Sequence, residues 1–410
     1  MQTKIAFFYP SEKIGGAQVL FLRTASYLAT NNYMVYNIDY GNSFITSQLR
    51  AKKISFEHIV QNENSANMEL PEDIIFIVSL SYISEIKRFI LKNKSCRFIF
   101  WDLHPNNLID HTYFSFFYKK NTGKGLSFLK FLERKRIYKL KKFLELANEK
   151  SGLVFMCKNN FITNSTFFQA KFPPSYLPII QDSTFSKTRE NYPVHNGVIN
   201  IGWLSRLEED KVSILNLLID DCDNYVANNK CRLHLHIIGE GSAVARIIRP
   251  KNFKLIFSGK LYDTQLSDYI NNNIDIGFSM GTSVLEFGVR GVPAVLVPSS
   301  TLYNYYKNKK SRYMWLYKAD GYDVATEVYH KSTELEIFSS ILEQLFKNSE
   351  LSRESSKYVY NSHSIDQIGN KLSSNIEKCN FTAKDIKSTQ IYSFSKLEKT
   401  LYFLKKVFKG

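Results

Sequence analysis

Two stretches of the second half bring small residues, cations and a carboxylate together at spacings that could hold an anion. In Phe278-Ser-Met-Gly-Thr-Ser-Val-Leu-Glu286 an apolar run gives way to Gly281, Thr282 and Ser283, and a carboxylate follows at Glu286. The pattern predicts a strand ending near 279, a small-residue turn and a helix. Free N–H groups at the start of such a helix, backed by its dipole, suit an anion such as a diphosphate. A carboxylate one turn further in can accept hydrogen bonds from both hydroxyls of a ribose. Gly291 and Pro293 then end the helix and lead into the next strand. The other stretch, Ile201-Gly-Trp-Leu-Ser-Arg206-Leu-Glu-Glu-Asp-Lys211, sends a cation pair into the loop after a strand. Open α/β sheets bind ligands at that edge. An arginine fork and a lysine point charge there can neutralise a departing diphosphate. Taken alone, such a pair is more often a solvated surface; the presence of both stretches in the same half of the chain reverses that reading.

Weaker signals flank these. Gly239-Glu240-Gly241 is a glycine turn after a strand, and such turns are common. In the first half, Gly15-Gly16-Ala17-Gln18 lies between strand and helix, where two glycines let backbone approach a phosphate or sugar. The loop lacks both GxGxxG and the Lys-Ser/Thr of a P-loop, which excludes a dinucleotide or ATP fingerprint. His104, in Trp-Asp-Leu-His-Pro, follows a strand and either faces a ligand or bonds its own loop; Asp102 is a second candidate there. Asp221-Cys222-Asp223 matches a metal-binding Asp-x-Asp. It lies on an amphipathic segment and reads as a solvated helix end. His234 and His236 alternate on a strand with no further ligand at metal spacing, so they read as packing residues. No metal site is expected.

Apolar runs alternating with amphipathic segments must position these residues, which is the βαβ pattern of parallel sheets covered on both faces. Strands are predicted at 4–9, 34–39, 74–80, 97–101 and 153–156, with a helix from 17 to about 30. Four prolines between 171 and 193 read as a connection, joining the halves near 180–195. A second series follows at 198–204, 233–238, 255–258, 274–279 and 294–297. The expected division is 1–185, 195–360 and a C-terminal helical segment, 361–410, ending in a Lys-rich amphipathic helix at 397–408.

Length and charge fit this organisation. At 410 residues the chain exceeds one ordinary core. A net charge of +16 points to nucleic acid, an anionic membrane or a phosphorylated substrate. Nucleic acid is the weakest of these, because no base-reading module is present. Much of the surplus sits in 119–150, with eleven Lys/Arg against three Glu interleaved with apolar residues. That block reads either as a surface helix packed on its own domain or as a helix lying on an anionic leaflet. The five cysteines are scattered, which suits reduced thiols in a cytoplasmic protein. No apolar run approaches the ~20 residues of a spanning helix.

Gly281, Glu286, Gly291 and Pro293 fall in register with the signature of family 4 of the GT-B glycosyltransferases, which this sequence resembles. That signature runs from a carboxylate through Gly-Phe-Gly to a second carboxylate eight residues on, then Gly-x-Pro; here Phe278 replaces the first carboxylate. Arg206 and Lys211 resemble the family's donor-diphosphate pair, Gly15-Gly16 its glycine loop, and His104 a histidine near its reacting centre. The resemblance implies an α/β, GT-B protein of two Rossmann-like domains facing across a cleft. The N-terminal domain would hold the acceptor and the C-terminal one a nucleoside-diphosphate sugar. Glu286 would sit on the ribose, and Arg206, Lys211 and the amides of Gly281, Thr282 and Ser283 on the diphosphate. It further implies retention, no metal, no cofactor beyond the sugar nucleotide, and a C-terminal segment returning to the first domain. Relatives with this variant build surface polysaccharides. The expected acceptor is therefore lipid-linked or lipopolysaccharide glycan, with work at the inner face of the cell membrane. A nucleotide-sugar hydrolase or epimerase, or a weakly catalytic sugar-nucleotide binder, are the alternatives.

Overall fold

Strands buried on both faces read as continuous apolar runs, and helices cross over between them because parallel neighbours cannot be joined by a hairpin. The computed structural model describes residues 2–11, 15–61, 70–92, 95–120, 125–181, 197–395 and 398–402. Two units result, Met1–Ile180 with Ile368–Gly410, and Gln181–Gln367.

The first unit's sheet contains β1 (Lys4–Phe8), β2 (Met34–Asp39), β3 (Glu57–Val60), β4 (Ile75–Ser79), β5 (Arg97–Asp102) and β6 (Leu153–Phe155). All neighbours are parallel, in the order β3-β2-β1-β4-β5-β6. The second unit's sheet contains β7 (Val198–Leu204), β8 (Arg232–Ile238), β9 (Lys254–Gly259), β10 (Ile276–Ser279), β11 (Ala294–Leu296) and β12 (Met314–Trp315). Its order from the other edge is β9-β8-β7-β10-β11-β12, with only β12 antiparallel to its neighbour. Both sheets therefore repeat one Rossmann order, 3-2-1-4-5-6. The order reverses between β1 and β4 in the first and between β7 and β10 in the second. At such a switch point adjacent crossovers leave in opposite directions and open a crevice at the strands' carboxyl ends.

The first core stacks Phe76 on Phe98, with Phe100, Phe143 and Phe381 edge to face beyond them. Phe381 belongs to the C-terminal segment, whose amide and carbonyl groups bond along β5; the Phe98 amide donates to the Phe381 carbonyl at 2.8 Å. Gly152 admits this ring because a Cβ there would lie 2.3 Å from Phe381. The second core gathers Trp203, Phe278, Tyr313 and Phe338.

The ten expected strands are present with ends shifted by a residue or two. β3 and β12 were not foreseen, one being a polar, half-exposed edge strand and the other two residues long. Most of the expected connection near 180–195 lies outside the described residues, as does the 397–408 helix apart from 398–402. Among the described residues the five cysteines form no disulfide. Among the described residues no helix is long and apolar enough to cross a membrane.

Candidate functional site

Helix Thr282–Val289 sits unusually close to the second sheet, and two glycines are the reason. Its Phe287 ring lies over Gly202 in β7 and Gly277 in β10; a Cβ on Gly277 would fall 2.2 Å from that ring. The contact seats the helix beside the switch point, with its N-terminus at the carboxyl end of β10. Gly281 caps it with φ 67° and ψ −143°, a conformation that side chains disfavour, and offers no side chain to bond the first amides. Its own N–H donates to the Val324 carbonyl at 2.8 Å.

The loop after β7 is held by the turn after β8. The Leu207 amide donates to the Glu240 carbonyl and the Ala243 amide to the Leu207 carbonyl, each at 2.9 Å. A Cβ on Gly239 or Gly241 would strike the Ser205 or Leu207 carbonyl oxygen, at 1.9 and 2.4 Å. The Gly-Glu-Gly turn is thus a cradle for the Arg206 loop. Leu207 is buried and anchors that loop, while Arg206 is exposed. Lys211, in the first turn of helix Glu209–Asn229, puts Nζ 3.2 Å from Met280 Sδ and 3.7 Å from the Asp210 carboxylate. Burial holds its pKa below the ordinary lysine value, Asp210 opposes this, and the Arg206 charge adds to it. An anion placed between Arg206 and the Gly281 turn would relieve that penalty.

Glu286 is fixed before any ligand arrives. Arg290 Nη1 lies 2.5 Å from its Oε2, and Gln181 Nε2 donates to Oε1 at 3.0 Å. Arg290 is braced in turn by the Ser267 hydroxyl at 3.2 Å. Gln181 is pinned by backbone bonds to His363 and Ile365. A carboxylate oxygen can accept from more than one donor, so a group fixed in this way is suited to take ribose hydroxyls without moving. Neither Arg290 nor Gln181 was foreseen; the (i, i+4) spacing of Glu286 and Arg290 was the one available signal.

Strand alternation sends Phe278 to the face opposite Gly277, into the core. It is fully buried, its ring 5.3 Å from Tyr313 and 5.6 Å from Phe338. The Asp-x-Asp is not the solvated helix end expected of it. Helix Glu209–Asn229 continues through it, Tyr313 donates to Asp221 at 2.5 Å, and Asp223 accepts the Lys251 and Asn252 amides. His236 bonds Tyr269 and Asn200, and burial pushes its pKa down to about 4. No group of three or more potential metal ligands occurs among the described residues. An unforeseen carboxyl pair, Asp323 and Glu327, lies buried just past the Val324 carbonyl that Gly281 uses. Burial, and then the neighbouring Asp323, push the Glu327 pKa up to about 8.

In the first unit Gly15 precedes helix Gly16–Thr30 with an extended backbone open to any residue, so its φ does not demand glycine. Residues 12–14 lie outside the described set. His104 is exposed in the loop after β5, and its Nδ1 accepts the Asn106 amide at 3.1 Å. Asp102 ends β5, wholly buried, with Asn164 Nδ2 on its Oδ2 at 2.7 Å. The structure therefore gathers Arg206, Lys211, Gly281, Thr282, Ser283 and Glu286 around the second switch point. Gly15, Gly16 and His104 stand at carboxyl ends of the first sheet.

No family model matches the chain, and no curated sequence matches it. Solved structures do. HepE from Anabaena in complex with UDP aligns with TM-score 0.56 at 11% identity, over 92% of this chain and 100% of that one. Its complex with UDP-glucose aligns with TM-score 0.54 at 12% identity, over 91% and 100%. TarM aligns with TM-score 0.50 at 10% identity, over 96% and 99%. With the two Rossmann-ordered sheets, these likenesses show the α/β, GT-B fold.

Proposed function

We propose that the protein is a glycosyltransferase of the family 4 type, moving a sugar from a nucleoside-diphosphate sugar to a glycan acceptor. One observation carries the reading. A cation pair, an uncapped helix N-terminus and a pre-fixed carboxylate converge on the switch point of the second sheet. That set matches a diphosphate followed by a ribose, and the UDP complexes of HepE support the same ligand class. The Arg206 and Lys211 charges stabilise the leaving diphosphate without a metal, and transfer proceeds with retention. No cofactor is used besides the sugar nucleotide. His104, Gly15 and Gly16 serve the reacting sugar, and the first unit holds the acceptor. Phe278 favours a second reading, a sugar-nucleotide binder with weak turnover, because a buried aromatic ring stands where the family signature has a carboxylate.

The proposed acceptor is a lipid-linked or lipopolysaccharide glycan, reached from the inner face of the cell membrane. The basic block supports this with only part of its length. Arg136 and Lys139 are spent internally, on the Ile391 and His111 carbonyls and on Glu398. Outward stand Phe128, Phe131 and Tyr138, each about 60% exposed or more, beside exposed Arg134 and Lys135. Lys135→Glu with Phe131→Ser should therefore abolish salt-sensitive sedimentation with anionic liposomes.

A thermal-shift screen of nucleoside diphosphates and their sugars tests the core proposal, since a bound donor stabilises the fold by mass action. Stabilisation by one sugar nucleotide, lost in Glu286→Ala, is expected. Wild-type melting with every nucleotide would end the assignment.

A further inference from the structure

Asp102 is a carboxyl group with no ion pair among the described residues, at zero exposure, yet it is surrounded by asparagines. Asn164 Nδ2 donates to its Oδ2 at 2.7 Å, and its second hydrogen is shared between the carbonyls of Pro105 and Asn160 at 3.2 and 3.0 Å. Asn160 Nδ2 donates to the Asp102 carbonyl at 2.7 Å, and the His104 amide faces the Asp102 carboxyl. Both asparagines project from helix Lys158–Phe168 and are essentially fully buried. Two side chains of one helix thus tie down both ends of the Asp102–Pro105 loop. Among the described residues Oδ1 of Asp102 has no hydrogen-bond partner. A buried charge so placed is costly, whereas a neutral acid carries its proton there.

The loop's last bond decides the state of the imidazole. His104 Nδ1 accepts the Asn106 amide, and the Asn107 amide bonds the His104 carbonyl at 2.9 Å. A nitrogen that accepts cannot also carry a proton, so the neutral ring holds its hydrogen on Nε2. Protonating Nδ1 would set two N–H groups head to head.

We infer that Asp102, Asn160 and Asn164 form a buried clamp that holds the His104 loop so that the ring stands as its Nε2–H tautomer, a hydrogen-bond donor to a ligand oxygen and not a base. Asp102 and the two asparagines are positioning residues. That the ligand oxygen belongs to a reacting sugar rests on the transfer reading; the tautomer does not.

The test is a nitrogen-15 spectrum of the full-length protein labelled in histidine, with the His104 signals assigned by their loss in His104→Gln. The clamp predicts an unprotonated Nδ1 and a protonated Nε2 at neutral pH, kept in Asp102→Asn and mixed between tautomers in Asn164→Leu. Protonated Nδ1 in the wild-type protein overturns the inference, and that result depends on no variant folding. So does an unchanged tautomer in an Asn164→Leu chain that melts cooperatively. In a transfer assay, His104→Gln, whose amide can replace the Nε2–H, should exceed His104→Ala and His104→Asn at least tenfold in kcat, with KM little changed and a flat profile from pH 6.5 to 8.5. Equal losses in all three, or a rate rising with the deprotonation of a histidine, would make His104 a base. An Nε2–H tautomer in a chain that transfers nothing would sink the transfer reading and leave the clamp standing.

Discussion

The two sheets share one strand order and differ in what they place at the switch point. At the second, Arg206, Lys211 and a helix start capped by Gly281 supply positive charge, beside Asp210 and the buried pair Asp323 and Glu327, with Glu286 held a turn away by Arg290. The carboxyl edge of the first sheet instead carries Asp39 and Asp102, both fully buried and both with raised pKa because burial disfavours their charge. Its helix Gly16–Thr30 begins at extended backbone, whereas Gly281 at the second edge has φ 67°. Topology thus supplies the same kind of edge twice, and we propose that side-chain chemistry makes one of them fit an anion. The difference teaches that a Rossmann order locates a ligand edge without saying what binds there.

The sharpest way to break this contrast is to discharge the second edge. Arg206→Ala with Lys211→Ala should lower kcat/KM by about 10³-fold or more, since loss of one preorganised donor typically costs about 10²–10³. The same pair should abolish the thermal shift with nucleoside diphosphate, while Asp102→Asn at the first edge leaves that shift intact. If nucleotide still stabilises the double variant, the two edges are not chemically distinct in the way argued.

Next comes the carboxylate. Glu286→Ala should weaken donor binding roughly 10- to 100-fold, the range of a charged hydrogen bond worth about 1.5–3 kcal/mol. Arg290→Ala should weaken it less, because Gln181 still holds Oε1. Calorimetric titration of both variants orders them, and an equal loss would assign Arg290 a direct contact with the ligand. A related check concerns metal. If protein cations do the work at the diphosphate, chelation by EDTA should change transfer by less than about twofold; an absolute Mg²⁺ or Mn²⁺ requirement contradicts that.

The smallest effect concerns Glu327. Its folded pKa of about 8 lies above the ordinary carboxylate value, so the folded state binds the extra proton between the two. Its contribution is fully present below the unfolded pKa and is lost as pH rises through the folded one. Thermal melts should therefore show stability declining from about pH 5 to 8, by at most about 1.4 kcal/mol per pH unit from this group. Glu327→Gln should flatten that decline. An unaltered slope in the variant would show that the pair Asp323 and Glu327 is already relieved of its proton.

Spacing along the chain was sufficient to locate most of this protein's elements. Period-two and continuous apolar runs marked ten of the twelve strands among the described residues, because a strand's burial is written in its own residues. Gly281, Glu286, Gly291 and Pro293 announced strand, turn and helix for the same local reason, and Arg206 and Lys211 lay at a strand end by counting alone. Only the tertiary structure decided what those residues meet. Phe278 and Gly277 differ by one position, yet one enters the core and the other receives Phe287, which depends on where the helix docks. Gln181 reaches Glu286 across more than a hundred residues, and Arg136 and Lys139, charges that looked available to a membrane, are consumed by carbonyls and a carboxylate near the C-terminus. Local conformation follows from neighbours in sequence, whereas the partner of a charged or buried group is chosen by packing among distant segments, which no spacing rule encodes.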